Sequence, residues 1–247
     1  MRCRIKIFSL LVIFSVSSIL HAQRSKPPPL PAQQIRFKHL TIDDGLSQNL
    51  VYSIFQDSKG FLWFGTSDGL NRYDGYRFKV FKHNPFDSTS LADNDIVYSI
   101  FEDRAGRIWV GTRALHIFDR KTETFRRFVH DPDNPASLSS GQVRAIAEDR
   151  DGSLWIAIDG GGLCRLTLVP VSEPGKNGAS DENTNAIRVP NGDGYEWVTV
   201  KITRFVHEPE NPNSLSTNTV HNVIVDHQNR LWVTARNQLN MLDLELV

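Results

Sequence analysis

Cysteine is almost missing from this chain. Only Cys3 and Cys164 occur among 247 residues, which rules out a disulfide framework or a four-thiolate zinc site. Charge of one sign is missing too: 28 Lys and Arg balance 28 Asp and Glu, so no global field favours nucleic acid or an anionic membrane. Long apolar runs are scarce. The one present, Ile7 to Leu20, falls short of the ~20 residues that a spanning helix needs. Catalytic signatures are absent as well, with neither a Gly-x-Ser-x-Gly elbow nor a His-Glu-x-x-His zinc motif. Gly160-Gly161-Gly162 is followed by no Lys-Ser/Thr, and Asp131-Pro-Asp133-Asn134 lacks the Gly and distal Glu of a calcium loop. These absences predict no catalytic residue, no metal and no cofactor, and they leave the ligand-binding residues unassigned.

What is present begins with a leader. Arg2, Arg4 and Lys6 precede the apolar run, and Leu20-His21-Ala22 closes it, so residues 1–22 read as a secretory signal peptide cut after Ala22. The chain is therefore expected outside the cytoplasm, in the periplasm, or on the outer face of a membrane if the leader stays uncleaved. Residues 23–34, with Pro27-Pro28-Pro29-Leu30-Pro31, read as an extended spacer. Removing the leader leaves Cys164 as the single thiol, so no intrachain disulfide is expected.

Residues 35–247 are organised by a repeat. Asp57-x-x-Gly60-x-x-Trp63, Asp103-x-x-Gly106-x-x-Trp109, Asp149-x-x-Gly152-x-x-Trp155 and Asp226-x-x-Asn229-x-x-Trp232 share one pattern. The first two Trp-to-Trp intervals are both 46 residues, and the third is 77, longer by 31. Most of that excess lies at about 170–197, where a polar, turn-rich composition predicts a surface loop or disordered excursion.

A short β-type run precedes each Asp and another follows each Gly or Asn. Asp-x-x-Gly between two such runs is hairpin chemistry: the Asp side chain caps the turn, and Gly or Asn supplies the positive φ. Apolar residues fall on both faces of the first strand, as with Val97, Ile100 and Phe101, which predicts strands covered on both sides. Third strands are expected at Leu70–Tyr73, Leu115–Phe118, Leu163–Leu166 and Leu239–Leu242. Fourth strands are expected at Phe78–Phe81, Phe125–Val129 and Lys201–Val206, each leading to a His: His83, His130 and His207. Four strands in about 46 residues with a fixed Trp is the spacing of a β-propeller blade. The expected architecture is all-β: about four four-stranded antiparallel blades. Arg36–Leu40 reads as an outer strand without a blade, and the chain stops near where the fourth blade's outer strand should begin, so an incomplete ring is expected.

The opening Asp43-Asp44-Gly45-Leu46-Ser47-Gln48-Asn49, with Gly60-Phe-Leu-Trp63-Phe-Gly65-Thr66 and its copies, resembles the two-component regulator propeller repeat of periplasmic sensor regions. The likeness spans about residues 35–247. It implies a sensory module of a two-component phosphorelay that binds an extracytoplasmic ligand, a carbohydrate fragment by that resemblance, and does no chemistry itself. It also implies a second copy or a sensor kinase as partner. Longer family members carry a membrane helix and a histidine kinase, and neither pattern occurs here, so a chain truncated before them is expected. An exported propeller enzyme, such as a polysaccharide lyase or hydrolase, is the alternative. It would require acid/base residues at the channel that differ between blades.

The repeated positions receive structural roles. Asp57, Asp103, Asp149 and Asp226 are expected in turns, with Gly60, Gly106, Gly152 and Asn229. Trp63, Trp109, Trp155 and Trp232 are expected to pack between blades. The three His sit on different connectors and so do not converge on one ion. Cys164 is expected to be a buried small hydrophobe. The second repeat, Gly111-Thr-Arg-Ala-Leu115, lacks the Asp-Gly or Gly-Gly found before Leu70 and Leu163, which predicts a shorter second turn.

Overall fold

A computed structural model describes residues 36–174, 186–192 and 194–246. The leader, the spacer and the middle of the insertion lie outside the described residues. The chain divides into two compact units, residues 1–38 and residues 39–247, and the second holds every strand.

Four antiparallel sheets succeed one another along the chain. The first holds β1 (Val51–Gln56), β2 (Leu62–Thr66), β3 (Gly69–Tyr73) and β4 (Phe78–Phe81) in that order. The second repeats it with β5 (Ser99–Glu102), β6 (Ile108–Gly111), β7 (Leu115–Asp119) and β8 (Thr124–Phe128). The third contains β9 (Gln142–Glu148), β10 (Leu154–Asp159), β11 (Gly162–Pro170), β12 (Ile187–Asn191) and β13 (Gly194–Phe205), in the order β12-β13-β11-β10-β9. The fourth is a three-stranded sheet of β14 (Val220–Val225), β15 (Arg230–Ala235) and β16 (Gln238–Asp243). Each is a propeller blade, and the expected all-β architecture holds.

The turns form as the sequence dictates. Gly60, Gly106, Gly152 and Asn229 all adopt positive φ, between 58° and 88°. The second turn of the second blade is indeed shorter, since Gly111 pairs with Leu115 whereas Gly65 pairs with Leu70. First strands of successive blades lie side by side, β1 with β5, β5 with β9 and β9 with β14. They therefore line the axis of the stack. Backbone bonds stitch the blades there, Val97 N–H to Thr66 O at 3.1 Å and Val143 N–H to Thr112 O at 2.7 Å. The approach is close: a Cβ on Gly65 would lie 2.3 Å from Val97 O.

Three apolar clusters fill the three interfaces. Trp63 and Phe81 meet Ile108, Phe118 and Phe125; Trp109 and Leu115 meet Ile146, Leu154 and Ile156; Trp155 and Leu163 meet Val220, Val223 and Leu231. Thus Trp63, Trp109 and Trp155 pack toward the following blade, whereas Trp232, also expected between blades, joins none of the three clusters. The two outer faces have no such cover. Ile54, which matches the packed Ile100 and Ile146, is 67% exposed, and Ile224, which matches Phe55 and Phe101, is 55% exposed. Among the described residues no comparable interface joins β14 back to β1, so the blades form an open arc.

Two expectations need correction. The insertion is not simply a loop: its second half forms the β12–β13 hairpin, joined to β11 over Leu163–Pro170. Val189 and Val198 are buried, Tyr195 O–H donates to Asp119 Oδ2 at 2.7 Å, and Arg107 Nη1 donates to Glu196 Oε1 at 2.8 Å. The hairpin therefore leans on the second blade. Period-2 alternation through Ile187, Val189, Val198 and Val200 drives this, and the polar residues just before it mask the signal. Second, Arg36–Leu40 is not a strand. A strand needs a paired edge to satisfy its backbone, and these residues join no sheet.

Candidate functional site

The four aspartates repeat one wiring. One carboxylate oxygen accepts turn amides, as from Lys59 and Phe61 to Asp57 Oδ1, and the other accepts the indole N–H. The indole bond measures 2.8 Å at Trp63, Trp109 and Trp232, and 2.9 Å at Trp155. Burial alone would raise Asp57, but the Trp63 indole and Arg120 outweigh it and hold the carboxyl below its ordinary range. Asp226 is likewise held below the usual carboxylate range, mainly by the Trp232 indole. With donors on both oxygens, these carboxylates cap their turns.

The three histidines also serve the fold. Nδ1 of His83, His130 and His207 lies 2.7, 2.8 and 2.6 Å from the carbonyls of Leu91, Leu138 and Leu215, closing the three connectors. Each ring is held within its own connector.

One structural position gives no sign of itself in the sequence. Asn71, His116, Cys164 and Asn240 come directly after the leucine in the first or second position of each third strand, and each holds the segment that leads into its blade. Asn71 Nδ2 donates to Ser47 Oγ at 2.8 Å, Asn240 Nδ2 to Ser216 Oγ at 3.0 Å, and the Ala92 N–H to His116 Nε2 at 2.9 Å. Cys164 Sγ lies 3.3 Å from Ser139 Oγ, so it is more than an apolar filler. Burial pushes its thiol up, away from the reactive thiolate. Burial depresses His116 to about 4, so the ring is neutral, with Nδ1 facing Val110 O at 3.1 Å. The position is hard to see in sequence because Asn, His and Cys share no class, although all can hydrogen-bond.

A row of partly exposed side chains lies on the axis. Tyr52, Tyr98, Arg144 and His221 directly follow the repeated valines Val51, Val97, Val143 and Val220 in or beside first strands that are neighbours. Tyr52 and Tyr98 meet edge to face, with ring centroids 5.4 Å apart. The Arg144 guanidinium lies 4.0 Å over the Tyr98 ring and donates to Asp159 Oδ2 through Nη2 at 2.7 Å and Nε at 3.1 Å. His221 Nε2 stands 3.9 Å from Asp159 Oδ1. Arg113 pairs with Asp95, three residues before Tyr98 in the sequence. Burial alone would raise Asp95, but the Ile96 amide and Arg113 keep it ionised well below the usual carboxylate range.

This row joins two phenol rings, two arginines and two carboxylates on a partly open surface. It can stack a flat or ring-shaped ligand and hydrogen-bond to its hydroxyls or anionic groups. At the axis the blades differ, as they also do at the position of Asn71, His116, Cys164 and Asn240. None of the candidate positions named from sequence belongs to the row. The signal that could have found it is the position after Val51, Val97, Val143 and Val220, where the repeat changes residue type.

Stacked antiparallel sheets of three to five strands, each with an Asp-capped turn that accepts a Trp indole N–H, define a β-propeller repeat protein. The family model described as two component regulator propeller matches residues 45–68, 90–114 and 137–160, so these three stretches are similar to that repeat. Histidine kinase P4 of Formosa agariphila is 43% identical over 88 residues, a stretch that covers 36% of this chain and 6% of that protein. The crystal structure of the extracellular domain of the hybrid two component system BT4673 from B. thetaiotaomicron matches with a TM-score of 0.56 at 19% identity, covering 80% of this chain and 22% of that one. This chain therefore spans only a small part of the relatives it matches. Among the described residues, no helix is long and apolar enough to cross a membrane.

Proposed function

We propose that this chain is a non-catalytic, extracytoplasmic ligand-binding part of a two-component sensory system, exported by its leader, and that its ligand is a saccharide bound along the axis row. The observation that carries this reading is the row itself. The uniform features of the repeat serve turns, interfaces and connectors, whereas Tyr52, Tyr98, Arg144 and His221 vary between blades and remain accessible. Tyrosine rings beside charged pairs suit a sugar ring with hydroxyl or acidic substituents. The repeat family and the histidine kinase relative support the sensory role, and the kinase itself would be supplied by a longer chain or a partner.

The test is calorimetric titration of the purified protein with neutral and acidic oligosaccharides, repeated on Tyr52→Ala and Arg144→Ala. Binding that is lost at least tenfold in both variants, with unchanged melting, is the expected result. No saccharide binding, or binding indifferent to both substitutions, would overturn the reading.

A further inference from the structure

Where the second blade meets the β12–β13 hairpin, a cleft of about 410 Å³ is lined by Arg126, Arg127 and Arg188 but by one carboxylate, Asp119. The chain as a whole is neutral, so three guanidiniums gathered against one carboxylate make this cleft a local attractor of anions.

The preceding interface shows what such a position takes. In the first blade, Lys79 of β4 lies opposite Arg72 of β3, and both hold Glu123, which reaches back from the turn between β7 and β8. Arg72 Nη2 donates to Glu123 Oε1 at 2.9 Å, and the Lys79 ammonium donates to Oε2. Glu123 sits at φ 56°, a left-handed conformation that a residue with a side chain seldom takes. The fold thus accepts an unfavourable backbone where it delivers a carboxylate to this pair of cations.

Arg126 has the same register in the second blade, opposite Ile117 of β7 as Lys79 lies opposite Arg72. No counterpart of Glu123 answers it. In the third blade β11 runs on to Pro170 and pairs with β13 along its length, so the short turn that carries Glu123 in the second blade has no equivalent. Glu196 of the hairpin is paired with Arg107. Asp119 accepts the Tyr195 O–H on Oδ2 at 2.7 Å and the Lys121 N–H on Oδ1 at 2.8 Å.

The hairpin brings a second guanidinium instead. Arg188 lies 4.1 Å over the ring of Tyr195, whose hydroxyl is anchored on Asp119, so its position at the cleft is supported. Among the described residues neither the Arg126 nor the Arg188 guanidinium has a hydrogen-bond or ion-pair partner. Arg127, like Arg204 in the third blade, is clamped on carbonyls of the connector that enters its blade: Arg127 on Ser90, Asp87 and Leu91, Arg204 on Ser137, Asn134 and Leu138. Those acceptors carry no charge, so Arg127 adds to the positive field of the cleft.

We infer that this cleft binds the carboxylate of a small organic acid between Arg126 and Arg188, as Glu123 is bound between Arg72 and Lys79 at the preceding interface. The guanidinium fork matches a planar carboxylate, and Ile117, Phe125 and Pro190 line the cleft for the apolar body of the ligand. None of the axis-row residues lines this cleft, so the inference stands whether or not that row binds a saccharide.

The test is an NMR titration of the full chain at low ionic strength, where screening is weak, following the Nε–H signals of Arg126 and Arg188. Sodium glucuronate and sodium succinate are the probes, which separate a sugar acid from an open-chain acid, with sodium chloride as the matched salt. The expected result is a saturable shift of both signals with at least one acid and none with chloride. Arg126→Gln and Arg188→Gln should each weaken binding at least tenfold with unchanged melting, whereas Arg126→Lys, which copies Lys79, should keep it within about threefold. No saturable shift with either acid, or affinity indifferent to both Gln substitutions, would overturn the site. Binding lost in Arg144→Ala and kept in both Gln variants would place the acid on the axis row and overturn it equally.

Discussion

Trp155 and Trp232 receive the same treatment from their own blades and a different one from their surroundings. Both donate an indole N–H to the aspartate of the preceding turn, at 2.9 and 2.8 Å, yet Trp155 is fully buried and Trp232 only half-buried. The fourth blade buries Val220, Val223 and Leu231 against Trp155 on one face, while Ile224, Leu239 and Met241 on the other are more than half exposed. The difference separates two levels of structure. The Asp–Trp turn is a local device that forms wherever its residues occur, whereas the burial that stabilises a blade comes from its neighbour.

The largest expected effect breaks that comparison at the tryptophans. Trp109→Ala removes a buried indole between two blades and is expected to cost about 3–5 kcal/mol, the range for large core deletions. Trp232→Ala should cost less than half as much, because its outer face meets no blade. Urea unfolding midpoints of the two variants check this. Equal losses would place the stabilisation in the turn itself and not in the interface.

A somewhat smaller effect sharpens the same point at the connector-holding position, where buried His116 corresponds to partly buried Asn240. With His116 depressed to about 4 by burial, the unfolded chain takes up a proton as pH falls through about 6.5, while the folded chain does not until about 4. Stability is therefore lost as pH falls across that window, by on the order of 3 kcal/mol, and is flat above it. His116→Asn, which copies the residue found in the first and fourth blades, should abolish that part of the slope. Parallel stability curves for the two proteins between pH 7 and 4 would contradict it.

Much of the fold was legible because the repeat fixes spacing and turn chemistry together. Asp57, Gly60 and Trp63 announce a hairpin, and their copies at 46-residue intervals announce a stack of them. The β12–β13 hairpin was hidden because its alternation sits inside a longer polar stretch, and the hairpin gains its cover from Asp119 and Arg107 of another blade. Arg36–Leu40 failed in the opposite way. Its residues resemble the end of an outer strand, but a strand exists only when an edge accepts it. The axis row was illegible for a third reason: its members are more than 40 residues apart, belong to different side-chain classes, and meet only because first strands pack side by side. The arginine clamps were missed likewise, since Arg127 and Arg204 look like ordinary solvated charges until the connector's carbonyls are seen around them.

The most direct test of the central claim, that covering by a neighbour rather than local wiring sets the stability of each blade, is amide hydrogen exchange resolved by strand. The prediction is that β6 and β10, between covered faces, exchange at least about tenfold more slowly than β15 and β16. Uniform protection across all four sheets would contradict it.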